Sequence, residues 1–164
     1  MASWAKFEAE APELVQQCRD VIERFGYMLA GTIRRDGTPR ISPVETHFVQ
    51  GHLVVAMERA TLKARDVLRD PRLVLNAPIT DPDDPCAELK LRGRAVPVDA
   101  GELRDAAADA IESASGWRPP ADWHVFSIDV EDAAYIAWHK GEMKMDRWMP
   151  GHSVQHTERR IALD

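Results

Sequence analysis

Apolar residues near the start of the chain recur every three or four positions, with polar and charged residues between them. The recurring positions are Leu14, Val15, Cys18, Val21, Ile22 and Phe25. Such spacing lines one face of a helix with apolar side chains. We therefore predict an amphipathic helix over residues 11–25, ended by Gly26, because glycine readily takes the left-handed conformation that closes a helix.

The pattern then changes to that of β-strands. Residues 27–33 form an apolar run, residues 41–49 mix apolar and polar positions in near alternation, and residues 53–57 are again apolar. Turn-forming residues at 35–38 and 50–52 separate the three runs. We therefore predict three antiparallel strands in succession, an arrangement more typical of a barrel or sandwich than of a parallel βαβ sheet.

The rest of the chain predicts further strands with two more helices. The elements in chain order are a helix at 60–69, strands at 73–77 and 87–98, a helix at 100–115, and strands at 124–130, 133–138 and 143–148. Gly93 predicts an interruption of the 87–98 strand, and the acidic, proline-bearing residues 78–85 predict a solvated loop. The chain is thus expected to be an α+β protein that is mainly β, with antiparallel strands and about three flanking helices.

Length, charge and cysteine usage narrow the possible functions. The chain has 164 residues, which suits one domain, and its formal net charge of −6 argues against a nucleic-acid partner. No apolar run approaches the roughly 20 residues of a membrane helix, and no secretory signal is evident, so we expect no membrane partner and a cytoplasmic location. Cys18 and Cys86 are interpreted as free thiols, and histidine spacing indicates no metal site.

The ordered blocks RRDGTPRISPV, GHLVVAMERATLKARDVLRDPRLVL and ELKLRGRAVPV resemble the pyridoxamine 5′-phosphate oxidase-like family of flavin-binding split β-barrels. The ending HVFSIDVEDAAYIAWHKGEMKMDRWMPG is similar to the C-terminal strands of the same family. The resemblance implies a single split-barrel domain over residues 1–164. Its expected parts are an N-terminal helix at 1–25, the first barrel strands and a phosphate-site helix at 27–98, a helix at 100–115, C-terminal strands at 124–148 and an irregular tail at 149–164.

The resemblance also implies a homodimer with a flavin in each interface cleft. The expected cofactor is FMN, with the deazaflavin F420 as the alternative and haem as a less favoured one. Arg40 corresponds to a strand arginine near the cofactor phosphate. Thr61, Leu62 and Lys63 correspond to a Ser/Thr-x-Lys step at a helix start, where a hydroxyl, backbone amides and an ammonium group converge on a phosphate. Taken alone, these residues fit equally ordinary roles, an exposed arginine and a helix N-cap.

The family's ring-binding positions can be carried over in the same way. Ile41 and Ser42 belong to the strand beneath the ring, while Ala56 and Met57 offer backbone groups to it. Trp138 corresponds to an aromatic residue that the second subunit often presents, although core or interface packing is the commoner role of a strand tryptophan. The resemblance names no catalytic acid or base, and we assign none.

Glu45 departs from the pattern of the true oxidases, which have a lysine five residues after the strand arginine. A carboxylate repels a phosphate, so either Glu45 faces elsewhere or pairs with Arg40, or the chain belongs to a branch of the family that holds its cofactor with fewer cations. The closely spaced arginine and histidine that bind substrate phosphate near the end of the true oxidases also have no clear counterpart. We therefore expect no vitamin B6 oxidase activity.

Three functions remain open from the sequence. The first is an FMN- or F420-dependent oxidoreductase that transfers a hydride to or from an unknown small substrate. The second is a protein on the same scaffold that binds or sequesters a flavin or haem without turnover. The third is a structural dimerisation module with a vestigial cleft.

Overall fold

The computed structural model describes residues 3–77, 86–139 and 141–160, with only the backbone of Cys86. The predicted acidic loop at 78–85 lies outside these residues. Four helices are described: α1 (Trp4–Glu10), α2 (Pro12–Phe25), α3 (Leu62–Arg69) and α4 (Glu102–Ser115). The eight described strands are β1 (Tyr27–Ile33), β2 (Pro39–Val49), β3 (His52–Met57), β4 (Arg72–Ala77), β5 (Cys86–Pro97), β6 (His124–His139), β7 (Glu142–Trp148) and β8 (Gln155–Arg160).

Six of the strands close into an antiparallel barrel. They are hydrogen-bonded in the order β3-β2-β1-β4-β5-β6, and β3 also pairs with the start of β6. Strand β6 is 16 residues long, so its second half runs past the barrel and pairs with β7, which in turn pairs with β8. The expected split barrel, mainly β with helices, is confirmed.

The two faces of β3 show where the core lies and where space remains outside it. Leu53, Val55 and Met57 point into the main core and are almost fully buried. Val54 and Ala56 face outward and belong to a second apolar cluster, which they share with α4. Helix α4 therefore covers part of the outer face of the barrel, and the rest of that face remains available for a site.

The predicted interruption of the strand at Gly93 was wrong, because β5 runs unbroken from Cys86 to Pro97; what Gly93 allows is a close approach of two strands. A Cβ atom on Gly93 would lie 2.1 Å from the carbonyl oxygen of Asp129, so only glycine fits there. The register between β5 and β6 shifts at this point, with Gly93 opposite Val130 and Arg92 opposite Asp132. Glu131 is the extra residue, so the two strands predicted at 124–130 and 133–138 are one strand with a bulge.

Two further expectations about the elements were wrong. Helix α1 was not predicted, although Ser3 caps it and Trp4 and Phe7, one turn apart, are both fully buried. The tail, expected to be irregular, contains β8, whose sequence QHTERR has no apolar alternation because the strand pairs only with β7 and is largely exposed. Within the described ranges, no helix has the length and apolarity needed to cross a bilayer.

Candidate functional site

Helix α3 is fixed to the β1–β2 hairpin by one buried carboxylate, that of Asp66. Thr32 and Arg40 are directly opposite each other in the register of β1 and β2, so their side chains lie side by side. The Thr32 hydroxyl donates to Asp66 Oδ2 at 3.1 Å, and Arg40 Nε donates to the same oxygen at 2.7 Å. Arg69 adds bonds to Asp66 Oδ1 from within the helix.

This network governs the ionisation of Asp66, whose side chain is 5% exposed. Burial by itself raises the pKa of a carboxyl group. The hydrogen bonds from Arg40, Thr32 and Arg69 outweigh burial, and the pKa of Asp66 lies below its usual range. Asp66 is therefore an anion at neutral pH, and the Nε edge of Arg40 is committed to it.

The expectation that Arg40 pairs with Glu45 was wrong. The two residues lie five positions apart on β2, and side chains an odd number of positions apart on a strand point to opposite faces. Arg40 points toward α3 and Asp66, whereas Glu45 is exposed and lines a cleft on the other face. The other alternative, that Glu45 faces away from Arg40, is confirmed.

The start of α3 carries the predicted threonine and lysine. Thr61 is the N-cap, since its hydroxyl oxygen accepts from the Ala64 amide at 3.4 Å and the hydroxyl donates to the Glu58 carbonyl at 2.7 Å. Lys63 Nζ donates to the Pro43 carbonyl of β2 at 2.7 Å. A first helical turn also leaves backbone amides without intrahelical acceptors, so an anion at this helix start has donors beyond the lysine.

A cleft of about 1040 Å³ opens beside Lys63 on the outer face of β2 and β3. The strand residues that line it include Pro43, Glu45, His47 and Ala56. Helix α2 and the start of β1 contribute further lining residues, and so do the end of α4 and the connection that follows it. These are Ile22, Glu23, Phe25, Gly26, Tyr27, Ile111, Ala114, Ser115, Trp117 and Trp123.

Glu45 sets the electrostatic character of this cleft. Burial lowers the pKa of Lys63 and of His47, and the nearby Glu45 carboxylate partly offsets both shifts. No cationic side chain of the described chain lies within ion-pair distance of Glu45 itself, whereas Glu23 pairs with Arg19 at 3.7 Å. The cleft thus combines one ammonium group, a neutral imidazole and an unpaired carboxylate.

Two buried polar atoms next to the cleft have no hydrogen-bond partner within the described residues. They are His47 Nε2 and Thr46 Oγ1, and both residues line the cleft. A buried polar atom without a partner is costly, and each such atom in a folded protein calls for an explanation. A ligand with polar edges is one such explanation.

The predicted site residues fall into three groups. Ala56 and Lys63 line the cleft. Arg40, Ser42 and Thr61 are half-buried and are not among the lining residues, and Met57 is buried in the core, so only its backbone is available to a ligand. Ile41 and Leu62 are 72% and 54% exposed, and Trp138 lies far along β6, opposite Met143. Their roles toward a cofactor stay predictions.

Sequence reasoning missed the aromatic part of the lining. Trp117 and Trp123 follow α4, and their ring centroids lie 4.8 Å apart; Phe25 and Tyr27 approach from the α2–β1 junction. No spacing in the sequence joins these residues, because the fold brings them together from distant segments. The sequence feature that could have pointed to this lining is the presence of two tryptophans in the short connection that contains Pro119 and Pro120.

Comparison with known proteins agrees with this architecture. The sequence profile described as pyridoxamine 5′-phosphate oxidase matches residues 14–137. No curated protein gives a significant match to the chain.

Three solved structures with the same fold are described as different kinds of protein. A haem-binding protein from Mycobacterium smegmatis superposes with a TM-score of 0.67 at 22% identity, covering 85% of this chain and 59% of that one. Campylobacter jejuni ChuZ gives 0.68 at 14% identity, covering 87% and 61%. PhzG from Burkholderia lata, in complex with tetrahydrophenazine-1-carboxylic acid, gives 0.64 at 10% identity, covering 92% of both chains.

At such identities the superpositions establish the fold alone, and the chain spans about three fifths of the length of two of these proteins. The profile match, by contrast, extends over most of the sequence, from α2 to the end of β6. The chain belongs to the pyridoxamine 5′-phosphate oxidase-like family.

Proposed function

We propose that this protein is a flavin- or deazaflavin-dependent oxidoreductase that binds FMN or F420 in the cleft and exchanges a hydride with a small substrate. The observation that carries the proposal is the position of Lys63. Its ammonium group, at the start of α3, lines the same cleft as Ala56 and the outer face of β2. A phosphate held by Lys63 and the α3 amides would leave the attached ring lying against those strands.

The lining suits such a cofactor in size and chemistry. A volume of about 1040 Å³ is at the upper end of typical small-molecule sites, which run from roughly 300 to 1,000 Å³. Pro43, Ala56 and the aromatic residues give apolar walls, and the unpartnered Nε2 atom of His47, on the same face of β2 as Glu45, offers a hydrogen bond to a polar ring edge. When bound, the cofactor supplies the hydride chemistry, while this chain binds it, orients it and excludes water.

Glu45 limits how tightly this cleft holds a phosphate. Its carboxylate lies close enough to Lys63 to affect the ammonium group's pKa, so it offsets part of the attraction that Lys63 exerts on an anion. We therefore expect weaker phosphate binding than two cations would give. Arg40 is held by Asp66 through Nε and lies on the other face of β2, so the proposal depends on Lys63 as the cation of the cleft.

The proposal is tested by titrating the purified protein with FMN and with F420 and following the fluorescence of each. Saturable binding of one of them, followed by reduction or oxidation of the bound cofactor with a suitable donor or acceptor, is the expected result. Absence of binding by both cofactors would contradict the proposal. Binding without turnover against any donor or acceptor would leave a carrier or sequestering role.

Haem binding is the second candidate, and His47 favours it. Burial lowers the pKa of His47, so the imidazole is neutral at physiological pH, the form that binds iron. Its Nε2 atom has no partner among the described residues. A Soret band on adding haem, lost in His47→Ala, would support this candidate, and an unchanged haem spectrum would exclude it.

A homodimer is part of the proposal. Gly31 on β1 lies between Ile41 of β2 and Val74 of β4 in the sheet register, and both apolar side chains are exposed, by 72% and 40%. This row presents a flat apolar surface that a second copy would cover. Light scattering should give twice the chain mass, and Ile41→Asp should reduce it to the monomer; a monomeric wild type would contradict this part.

We also propose the cytoplasmic location expected from the sequence. Fractionation of the producing cells tests it, and recovery of the protein in a membrane or secreted fraction would contradict it.

A further inference from the structure

Trp117 and Trp123 form one wall of the cleft, called here the tryptophan wall. Their rings are tilted by 59° at a centroid distance of 4.8 Å, and both residues line the cleft. Trp117 is 45% exposed, which is costly for the largest apolar side chain if it serves only to fold the chain. An exposed aromatic surface at a cleft is typical of ligand contact.

The backbone behind Trp123 is held in place by Arg104 of α4. One guanidinium nitrogen of Arg104 donates to the Ala121 and Trp123 carbonyls, each at 2.7 Å. Another donates to the Val98 carbonyl at 3.0 Å. Hydrogen bonds from a charged donor are stronger than neutral ones, so this arginine fixes the end of the connection after α4 and ties it to the segment before α4.

The other half of the connection is fixed as well. The Trp117 amide donates to Ser115 Oγ at 3.2 Å. Arg118 pairs with Asp109 at 2.6 Å and with Glu112 at 2.8 Å, both on α4. The tryptophan wall is therefore rigid before any ligand arrives, and a preorganised wall loses little conformational entropy on binding.

The charges around the wall select among flat ligands. The ionised side chains that line the cleft are Glu23, Glu45 and Lys63, two carboxylates and one ammonium group. Glu23 is paired with Arg19, and Lys63 donates to a backbone carbonyl, so Glu45 is the exposed lining charge that makes no ion pair with any residue the structure describes. A tryptophan face also attracts cations through its ring quadrupole.

We propose that the tryptophan wall and Glu45 form a substrate subsite for a planar aromatic compound that carries a positive charge, such as a protonated ring nitrogen or amine. This inference rests on the proposed function, because it assigns the space beside the cofactor ring to the substrate. Stacking on Trp117 and Trp123 supplies shape selection, and Glu45 supplies charge selection. Anionic aromatics of the same shape are disfavoured by the same carboxylate.

The test uses two fluorescent tricyclic probes of matched size, the cation proflavine and the anion anthracene-2-carboxylate. Fluorescence anisotropy at low salt should show proflavine binding at least about tenfold more tightly, a modest value for one cation–π contact plus one charge pair. Trp117→Ala should weaken proflavine binding by about tenfold. Glu45→Gln should remove the preference for the cation and leave the wall intact.

Two matched controls should change nothing: Leu68→Ala, an exposed apolar residue of α3 outside the cleft, and Glu142→Gln, an exposed glutamate of β7. Equal or tighter binding of the anion, or unchanged proflavine binding in both Trp117→Ala and Glu45→Gln, would overturn the inference. A parallel FMN titration separates the two proposals. FMN binding without a cation preference refutes the subsite alone, whereas the predicted probe pattern without FMN or F420 binding refutes the proposed cofactor alone.

Discussion

The α3 side of the cleft and the tryptophan wall use their charged residues in opposite ways. On the α3 side, the cations are engaged by protein acceptors: Lys63, which lines the cleft, by the Pro43 carbonyl, and Arg40, on the other face of β2, by Asp66. At the tryptophan wall, the cations lie behind the ligand-facing surface, where Arg104 and Arg118 hold the connection after α4. The wall presents its aromatic faces without any competing bond.

This difference bears on how each part binds. A phosphate arriving at α3 must share or displace bonds that Lys63 already makes, and it must do so near Glu45. An aromatic ring arriving at the wall displaces only water from Trp117, which is 45% exposed. We therefore expect the wall to contribute more free energy to binding an aromatic ring than the α3 side contributes to binding a phosphate. The α3 side is expected to contribute mainly selectivity for a phosphate.

The largest effect is expected on the α3 side, from Asp66→Asn. The change removes the charge that balances Arg40 and Arg69 at a site where the carboxylate is 5% exposed. Breaking a buried pair by removing one partner costs about 3–5 kcal/mol, and urea unfolding measures it. Asp70→Asn is the control, because Asp70 pairs with the exposed Arg72 and should change stability little; equal losses in both variants would contradict the assignment.

Arg104→Met tests the other region, the tryptophan wall. It removes two carbonyl contacts that hold the connection after α4 and one to Val98 before the helix, and we expect a loss of about 2–3 kcal/mol in unfolding free energy. Proflavine affinity should fall with it, because the tryptophans lose their fixed positions. Unchanged proflavine binding in a destabilised but folded variant would show that the wall does not depend on Arg104.

A smaller effect should appear on acidification, through His47. Burial lowers the pKa of His47 in the folded state, with Glu45 partly offsetting it, whereas the unfolded value is about 6.5. The unfolded chain therefore takes up the proton first, and stability falls as the pH drops from about 6.5 toward the folded pKa. His47→Gln should remove this loss of stability on acidification, as measured by urea unfolding across the pH range. His139→Gln, at an exposed strand end, should retain it. Identical pH profiles for His47→Gln and wild type would contradict the prediction.

The smallest effect is expected from Glu45→Gln in FMN binding. Removing the carboxylate leaves the Lys63 ammonium unopposed, so the affinity for FMN should rise by about threefold, as for one screened surface charge. Equilibrium titration at two salt concentrations measures it, and the gain should shrink at high salt. A loss of FMN affinity would mean that Glu45 contacts the cofactor favourably.

The sequence predicted the α3 side better than the wall, for a physical reason. Thr61 and Lys63 are two residues apart, and the turn chemistry around them is local, so a short motif carries the information. Strand runs and turn residues predicted a barrel or sandwich in the same way, and the resemblance to the family implied the split barrel. The bond between Arg40 and Asp66 spans 26 residues, and the wall meets β2 only through the tertiary fold. No local pattern encodes either contact.

Local sequence patterns also failed to predict two further features, strand β8 and the bulge at Glu131. Strand β8 has no apolar alternation and forms because β7 offers it backbone partners. The sequence around Glu131 predicted a break between two strands, but the structure has one continuous strand with a bulge. The bulge depends on a register shift opposite Gly93 of the neighbouring strand, which no local pattern around Glu131 shows.

The central claim, that Lys63 directs a cofactor phosphate into this cleft, is tested most directly by comparing FMN with riboflavin, which lacks the phosphate. Wild-type protein should bind FMN more tightly, and Lys63→Met should lose about tenfold in FMN affinity, about 1.4 kcal/mol, while riboflavin affinity stays the same. Arg65→Met, an exposed neighbour on the same helix, should retain the difference between the two ligands. Equal binding of FMN and riboflavin by the wild type, or an unchanged FMN affinity in Lys63→Met, would contradict the claim.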